Sequence, residues 1–274
     1  MNQHMPAYRF SGRVIAIANQ KGGVGKTTTA INLATALAAI GRKVMIIDLD
    51  PQGNASTGLG IDRKARSRTI YDVLMGNASL SGVAVEAGIP GLSVVPSSVD
   101  LSGAELELVN AERRSYRLRE AIYGSDDAAP VDADYILIDC PPSLNLLTLN
   151  ALVAANSVLV PLQCEFFALE GLSLLMRTIE RVRAAFNPEL TIRGVVLTMF
   201  DKRNNLSQQV AADVRAYLDT KVYKTVIPRN VRVSEAPSYG KPALLYDHKC
   251  VGSQAYIDLA KEILRQERET LKAA

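Results

Sequence analysis

Residues 19–28 read Asn-Gln-Lys-Gly-Gly-Val-Gly-Lys-Thr-Thr, directly after an apolar run and directly before a helical pattern. Glycines let a backbone turn tightly and aim successive N–H groups at one point, and a helix starting there adds the positive end of its dipole. A polyphosphate fits such a concavity. Lys26 would reach its β- and γ-phosphates, and the Thr27 hydroxyl would ligate Mg2+. Two further segments supply carboxylates. KVMIIDLDPQGN, residues 43–54, places Asp48 and Asp50 at a strand end, two residues apart and so on the same side of an extended chain. One would sit near the metal while the other orients an attacking water; the plain alternative has both capping the turn of Pro51, Gln52 and Gly53. YILIDCPPSLN, residues 135–145, is an apolar strand ending in Asp139, the form of a carboxylate that holds a Mg2+ shell. Pro141 and Pro142 then stiffen the loop.

The glycine loop departs from the ordinary G-x-x-x-x-G-K-[ST] pattern, because Gln20 stands where the first glycine belongs and a second lysine, Lys21, follows. With that lysine, KGGVGKTT resembles the deviant Walker A box of the ParA/MinD superfamily of ATPases. The resemblance implies ATP bound by Lys21, Gly22, Gly23, Val24, Gly25, Lys26, Thr27 and Thr28, with Mg2+ held by Thr27 and, through water, by Asp48 and Asp139. It also implies an ATP-dependent homodimer in which Lys21 reaches the partner's phosphates. A second ammonium there would stabilise transition-state charge much as an arginine finger does. Asp50 becomes the water-activating residue, so Lys21 and Asp50 are the expected catalytic pair. Pro228 and Asn230, in VIPRN, would border the adenine. No NKxD-type guanine motif occurs, which argues against GTP.

Beyond the loop, DLDPQGNASTGLG, LIDCPPSLN, PLQCEFFALEGL, TMFDKRNNLSQQV and IPRNVRVSEAPSYGKP are similar to the chromosomal ParA (Soj) partition proteins, over roughly residues 13–265. No long N-terminal extension precedes the first strand, which points to the short, chromosomal form. The resemblance implies slow ATP hydrolysis stimulated by a ParB-type centromere-binding protein, nonspecific binding of the dimer to double-stranded DNA, and segregation of replicated origins. A cytoplasmic, nucleoid-associated protein is expected. A MinD-like membrane ATPase is the alternative, and it needs a terminal amphipathic helix. LAKEILRQERETLKAA instead spends Ile263 and Leu264 on a core stripe and turns polar, so no membrane partner is expected. An iron–sulfur reductase needs subunit-bridging cysteines, whereas Cys140 and Cys164 read as buried small hydrophobes. A nucleotide-gated binding module without appreciable turnover is separable only by experiment.

These residues need elements to position them. Apolar runs at 13–19, 43–48, 92–96, 135–139, 157–162 and 193–200 alternate with helical patterns at 26–40, 101–123, 144–155, 168–186, 205–219 and 252–270. Strands apolar on both faces and separated by helices predict an α/β, single-domain P-loop NTPase fold, with a mostly parallel twisted sheet flanked by helices on both faces. The last four helices are expected to be amphipathic, with Leu169, Leu172, Leu175, Met176, Ile179 and Val182 on one stripe of 168–186. Asn205 is expected to cap 205–219. Residues 1–12 read as a flexible tail and 13–270 as one ATPase domain; 58–68 and 124–134 read as surface loops.

Lys and Arg number 31 against 28 Asp and Glu, a net charge of +3 that alone does not announce a polyanionic partner. Its distribution is uneven: residues 193–249 carry 10 basic and 5 acidic side chains, whereas 1–192 carry 17 and 19. Arg203, Arg215, Lys221, Lys224, Arg229, Arg232 and Lys241 are candidates for one basic surface, with Arg203, Arg229 and Arg232 the leading DNA contacts. They would touch phosphates without reading bases. Arg113, Arg114, Arg117 and Arg119 share no helical stripe and read as surface charge or subunit contacts. Three scattered cysteines fit a reducing compartment, and no signal-peptide core or membrane-length apolar run occurs.

Overall fold

The computed structural model describes residues 10–124 and 131–273. The expected tail before residue 10 and most of the expected loop at 124–134 lie outside the described residues. Among the described residues, one sheet contains β1 (Arg13–Ile17), β2 (Val44–Asp48), β3 (Val85–Ile89), β4 (Leu92–Val95), β5 (Tyr135–Asp139), β6 (Ser157–Gln163), β7 (Thr191–Phe200) and β8 (Val222–Pro228). Their order is β3-β4-β2-β5-β1-β6-β7-β8, and every pairing is parallel except that of β3 with β4.

The central strands are buried on both faces, which is why they read as unbroken apolar runs. Val14 and Ala16 enter one core and Ile15 and Ile17 the other; Met45 and Ile47 oppose Val44 and Ile46 in the same way. The second of these cores is covered by α1 (Lys26–Ala39) and by the long C-terminal helix, which supplies Tyr256, Leu259 and Ile263. The first is covered by α2 (Arg117–Tyr123), α3 (Leu146–Ala154), α4 (Ala168–Ala185) and α5 (Asn205–Leu218), with the C-terminal helix being α6 (Val251–Ala273).

Several expectations need correction. The helix expected over 101–123 is a string of short turns, Val99–Gly103, Ala104–Glu107 and Leu108–Asn110, before α2. Arg113 has a φ of 54°, a left-handed value that interrupts any right-handed helix there. α3 is not amphipathic, because Leu147, Thr148 and all of 150–154 are buried. Asn204, not Asn205, caps α5: its Oδ1 accepts the N–H groups of Leu206 and Ser207 at 2.9 and 3.3 Å. β3 and β8 were not expected. In β8 the polar pair Lys224 and Thr225 interrupts the apolar pattern, and Glu262 of α6 accepts both of their N–H groups, at 2.8 and 2.9 Å, closing an edge that would otherwise lie unpaired.

The sheet order decides the site. β5 lies between β1 and β2, so Asp139 is level with Asp48 across one ladder and with Ile17 across the other. The carboxyl ends of three strands therefore deliver the glycine loop and both carboxylates to one point of the sheet edge, where ligands of open α/β sheets bind.

Candidate nucleotide site

Gly23 and Gly25 have φ of 75° and 88°, where only glycine is unstrained. A Cβ on Gly22 or Gly23 would meet nothing within 4 Å, so the loop faces open space. α1 begins at Lys26 with no side-chain cap at Gly25, which leaves its first N–H groups pointing outward for a ligand. Polar contacts brace the loop from behind. Asn19 Oδ1 accepts the Lys21 N–H at 3.0 Å while Asn19 Nδ2 donates to the Pro161 carbonyl at 2.8 Å. Thr198 of β7 donates its hydroxyl to the carbonyl of buried Val24 at 2.8 Å. Lys26 Nζ donates to the Lys21 carbonyl at 3.1 Å. Burial lowers the pKa of Lys26, a shift the Asp139 and Asp50 charges oppose.

The two strand-end aspartates differ in their partners. Asp48 is fully buried, and its Oδ2 accepts the Ser56 N–H at 2.8 Å and the Ser56 hydroxyl at 2.6 Å. Ser56 lies on the short helix Asn54–Gly58, and its Oγ accepts the Ser97 N–H at 3.2 Å. Asp50 has left the strand: its Oδ1 accepts the Gln52 N–H at 2.9 Å, so this carboxylate does cap the turn as well as stand beside the site. Asp139 is fully buried, and among the described residues its carboxylate oxygens make no well-formed hydrogen bond, although the Thr27 hydroxyl lies beside them. Burial, then the Asp48 charge, raises its pKa well above the carboxylate range; Thr27 and Lys26 oppose the shift. Burial likewise raises that of Asp48.

Two fully buried carboxylates level across one ladder fit Mg2+. The described residues include no cluster of three or more His, Cys, Asp or Glu side chains able to cage a metal. Mg2+ characteristically takes one or two carboxylates and completes its shell with water and substrate phosphates, which suits Asp48, Asp139 and the Thr27 hydroxyl.

Beside the loop a cavity of about 90 Å3 is lined by Gly25, Thr28, Met199, Pro228, Asn230 and Tyr256, among others. Asn230 lines this cavity, and its Oδ1 accepts the Val233 N–H at 3.3 Å and caps the helix Val231–Glu235. Met199 holds a φ of 48° on the same wall, a strained conformation of the kind that collects at binding sites.

Sequence reasoning missed Thr198, Ser56 and Arg66. Arg66 lies in the segment read as a surface loop, yet it donates to the Thr57 hydroxyl at 2.7 Å, the Ile61 carbonyl at 2.8 Å and the Ser97 carbonyl at 3.0 Å. Its one sequence signal was a run of basic residues.

Lys21 is half-exposed and ion-paired with Glu165 of its own chain. Arg203 and Arg229 line, with Lys202 and Lys249, a broad cavity of about 880 Å3 beside the end of β8. Arg203 pairs with Asp201, and Arg232, on the next helix, pairs with Glu235 and Asp247. The seven basic candidates do not form one face: Lys221 lies at the opposite end of the sheet, in a cavity with Arg13 and Arg193. Cys140 and Cys164 are buried, and burial pushes both thiols up, Cys164 to about 11.

Fold and loop together define a P-loop ATPase whose Walker A box carries an additional lysine. A family profile described as an AAA domain matches residues 12–192. The chromosome partitioning protein ParA of Caulobacter vibrioides is 66% identical over 257 residues, covering 94% of this chain and 96% of that protein. The sporulation initiation inhibitor protein Soj of Bacillus subtilis is 52% identical over 252 residues, covering 92% and 98%. The solved structure of a Mycobacterium smegmatis protein described as cobyrinic acid a,c-diamide synthase, with bound ATP analogue and magnesium, matches with a TM-score of 0.81 at 38% identity, covering 94% of this chain and 96% of that one. The chain belongs to the ParA/Soj family of the ParA/MinD ATPases. Among the described residues no helix is long and apolar enough to cross a membrane, and Ile263 and Leu264 are buried in the core.

Proposed function

We propose that this chain is a chromosome-partitioning ATPase: its ATP-bound homodimer binds double-stranded DNA without sequence preference, and hydrolysis, stimulated by a ParB-type centromere-binding partner, returns it to a DNA-free state. The observation that carries the hydrolytic part is Asp139, a fully buried carboxylate beside the Thr27 hydroxyl, level with Asp48 and close to Lys26. Residues 13–270 act as the ATPase domain of a cytoplasmic, nucleoid-associated protein. The biosynthetic name of the Mycobacterium relative weighs less than the partitioning name of the Caulobacter ParA, which is markedly more identical to this chain.

The N–H groups of the glycine loop, with Lys26, Thr27 and Thr28, bind the phosphates, and Pro228 and the Asn230 backbone border the adenine. Thr27, and through water Asp48 and Asp139, would hold Mg2+, which would neutralise phosphate charge. Asp50 orients the attacking water, and Lys21 of each subunit reaches the other's phosphates, where its charge counts most in the transition state. Asp48 is bonded to Ser56, so a change of ligand at Asp48 is felt directly by the helix Asn54–Gly58. That helix is a switch with a defined resting position, since Arg66 and Ser97 hold it from the other side.

For DNA, Arg203, Arg229 and Arg232 with Lys202 and Lys249 offer exposed cations near the nucleotide cavity, which shares Pro228 and Arg229 with the basic one. Two subunits double that charge, so the dimer binds where the monomer does not. The test is a salt titration of two unrelated duplexes of equal length in the presence of a non-hydrolysable ATP analogue. Equal affinities are expected, with log K falling linearly against log salt and a slope reduced by about one for each phosphate-contacting arginine replaced by alanine. A strong preference for one duplex, or binding indifferent to nucleotide, would overturn this reading.

A further inference from the structure

The ion pair between Lys21 and Glu165 joins residues 144 positions apart, and both of its ends are anchored. Glu165 stands in the turn from β6 to α4, where its N–H donates to the Gln163 carbonyl at 2.9 Å and its carbonyl accepts the Ala168 N–H at 2.9 Å. The Lys21 backbone is held by Asn19 and by Lys26, as described above. The pair sits at the rim of the glycine loop with side chains 42% and 45% exposed. Directly after Glu165 come Phe166 and Phe167, edge to face at 5.0 Å and 76% and 64% exposed, an aromatic pair that the single chain leaves in water.

We infer that Glu165 is a positioning residue for Lys21, a same-chain counter-ion that keeps this lysine off its own chain's phosphates until a second copy covers the rim. The inference rests on the proposed cross-subunit role of Lys21. A lysine is a mobile point charge on a long stem, and next to a bound triphosphate it would turn inward if nothing held it. On the solvated rim an exposed pair is weak, so Glu165 biases Lys21 away from its own phosphates without fixing it there. When a second copy covers the aromatic pair, the rim loses solvent, and a carboxylate–ammonium pair half out of water becomes costly to keep. The partner's triphosphate carries more charge than one carboxylate, so Lys21 exchanges Glu165 for it. The contact thus separates nucleotide binding, which precedes it, from completion of the paired site.

The test is a double-mutant cycle on the full chain with Glu165→Gln, Lys21→Ala and the combination, with Glu165→Ala as a second form of the first change. Affinities for fluorescent ATP and ADP analogues are read at dilutions where light scattering shows monomer. Freed Lys21 falls back on its own triphosphate, so Glu165→Gln should bind the ATP analogue about two- to fivefold more tightly, the range exposed ion pairs give. The ADP analogue should gain less, the gain should shrink with added salt, and the double variant should match Lys21→Ala alone. No gain, an equal gain for ADP, or a gain that persists with Lys21→Ala would overturn the inference. If wild type stays monomeric with ATP at high concentration, the cross-subunit reading fails instead, so the two failures are distinguishable.

Discussion

Replacing Asp139 with asparagine should stabilise the nucleotide-free protein while weakening its grip on Mg2+ and ATP. Both Asp139 oxygens are buried with no well-formed hydrogen bond, the Thr27 hydroxyl being a loose neighbour, and Asp48 across the ladder is fully buried as well. Burial and the mutual charge raise the pKa of Asp139, so the folded, metal-free chain holds a proton that the unfolded chain releases more readily. That contribution to stability is fully present below the ordinary carboxylate pKa of about 4 and is lost as pH rises through the raised folded-state values. Asparagine removes the charge and adds an amide N–H able to donate to Asp48. Relief of a buried polar group without a partner is worth about 1–3 kcal/mol. For a domain of this size the unfolding midpoint should rise by roughly 2–10 °C near neutral or mildly alkaline pH. The assay is calorimetry in EDTA at about pH 5 and about pH 8, where the gain should be small at the acid end and large at the other. With Mg·ATP present the order should reverse, because only wild type gains strongly from the ligand. An asparagine variant less stable than wild type in EDTA at the higher pH, or a difference independent of pH, would show that the Asp139 charge does not destabilise the metal-free fold.

Gly25→Ala forces a side chain into a φ of 88° at a strain of about 1–2 kcal/mol, and isothermal titration should show a roughly tenfold loss of ATP affinity. Thr198→Val removes the hydroxyl bonded to the Val24 carbonyl; ATP affinity should fall by about three- to tenfold, from the ~0.5–1.5 kcal/mol of one hydrogen bond, with a shift of only a few degrees in midpoint. Arg66→Ala unties the helix Asn54–Gly58 from its far anchor, so hydrogen exchange should accelerate at residues 53–61 and turnover should fall, whereas exchange in α1 stays unchanged.

The nucleotide site was legible because its chemistry is carried by residue types at short, fixed spacings. Gly22, Gly23, Gly25, Lys26 and Thr27 follow one strand and open one helix, and Asp139 ends an apolar run. What stayed hidden depends on partners distant in sequence. Nothing near Asp48 announces that Ser56 will occupy one of its oxygens, and nothing near Lys21 points to Glu165. Arg66 looked like solvent-facing charge because most of its acceptors are backbone carbonyls, which every sequence contains. β8 was masked by Lys224 and Thr225, whose N–H groups are satisfied by a glutamate nearly forty residues later. The helix expected over 101–123 failed for the opposite reason: Leu101, Leu108, Leu118 and Ile122 are all buried, so a helical-looking period survived although the backbone breaks between them. Asn204 and Asn205 are equally good caps by type, and only the chain's entry into α5 chooses between them.

ATP-driven pairing on DNA is the central claim, and light scattering on the Asp50→Ala protein measures it most directly. Removing the carboxylate proposed to orient the attacking water leaves the glycine loop, Lys26 and Asp139 in place, so the ATP state should persist. With ATP the variant should elute at twice the monomer mass and shift onto duplexes of unrelated sequence; with ADP it should stay monomeric and DNA-free. A monomer with ATP, or the same DNA binding with either nucleotide, would contradict the account.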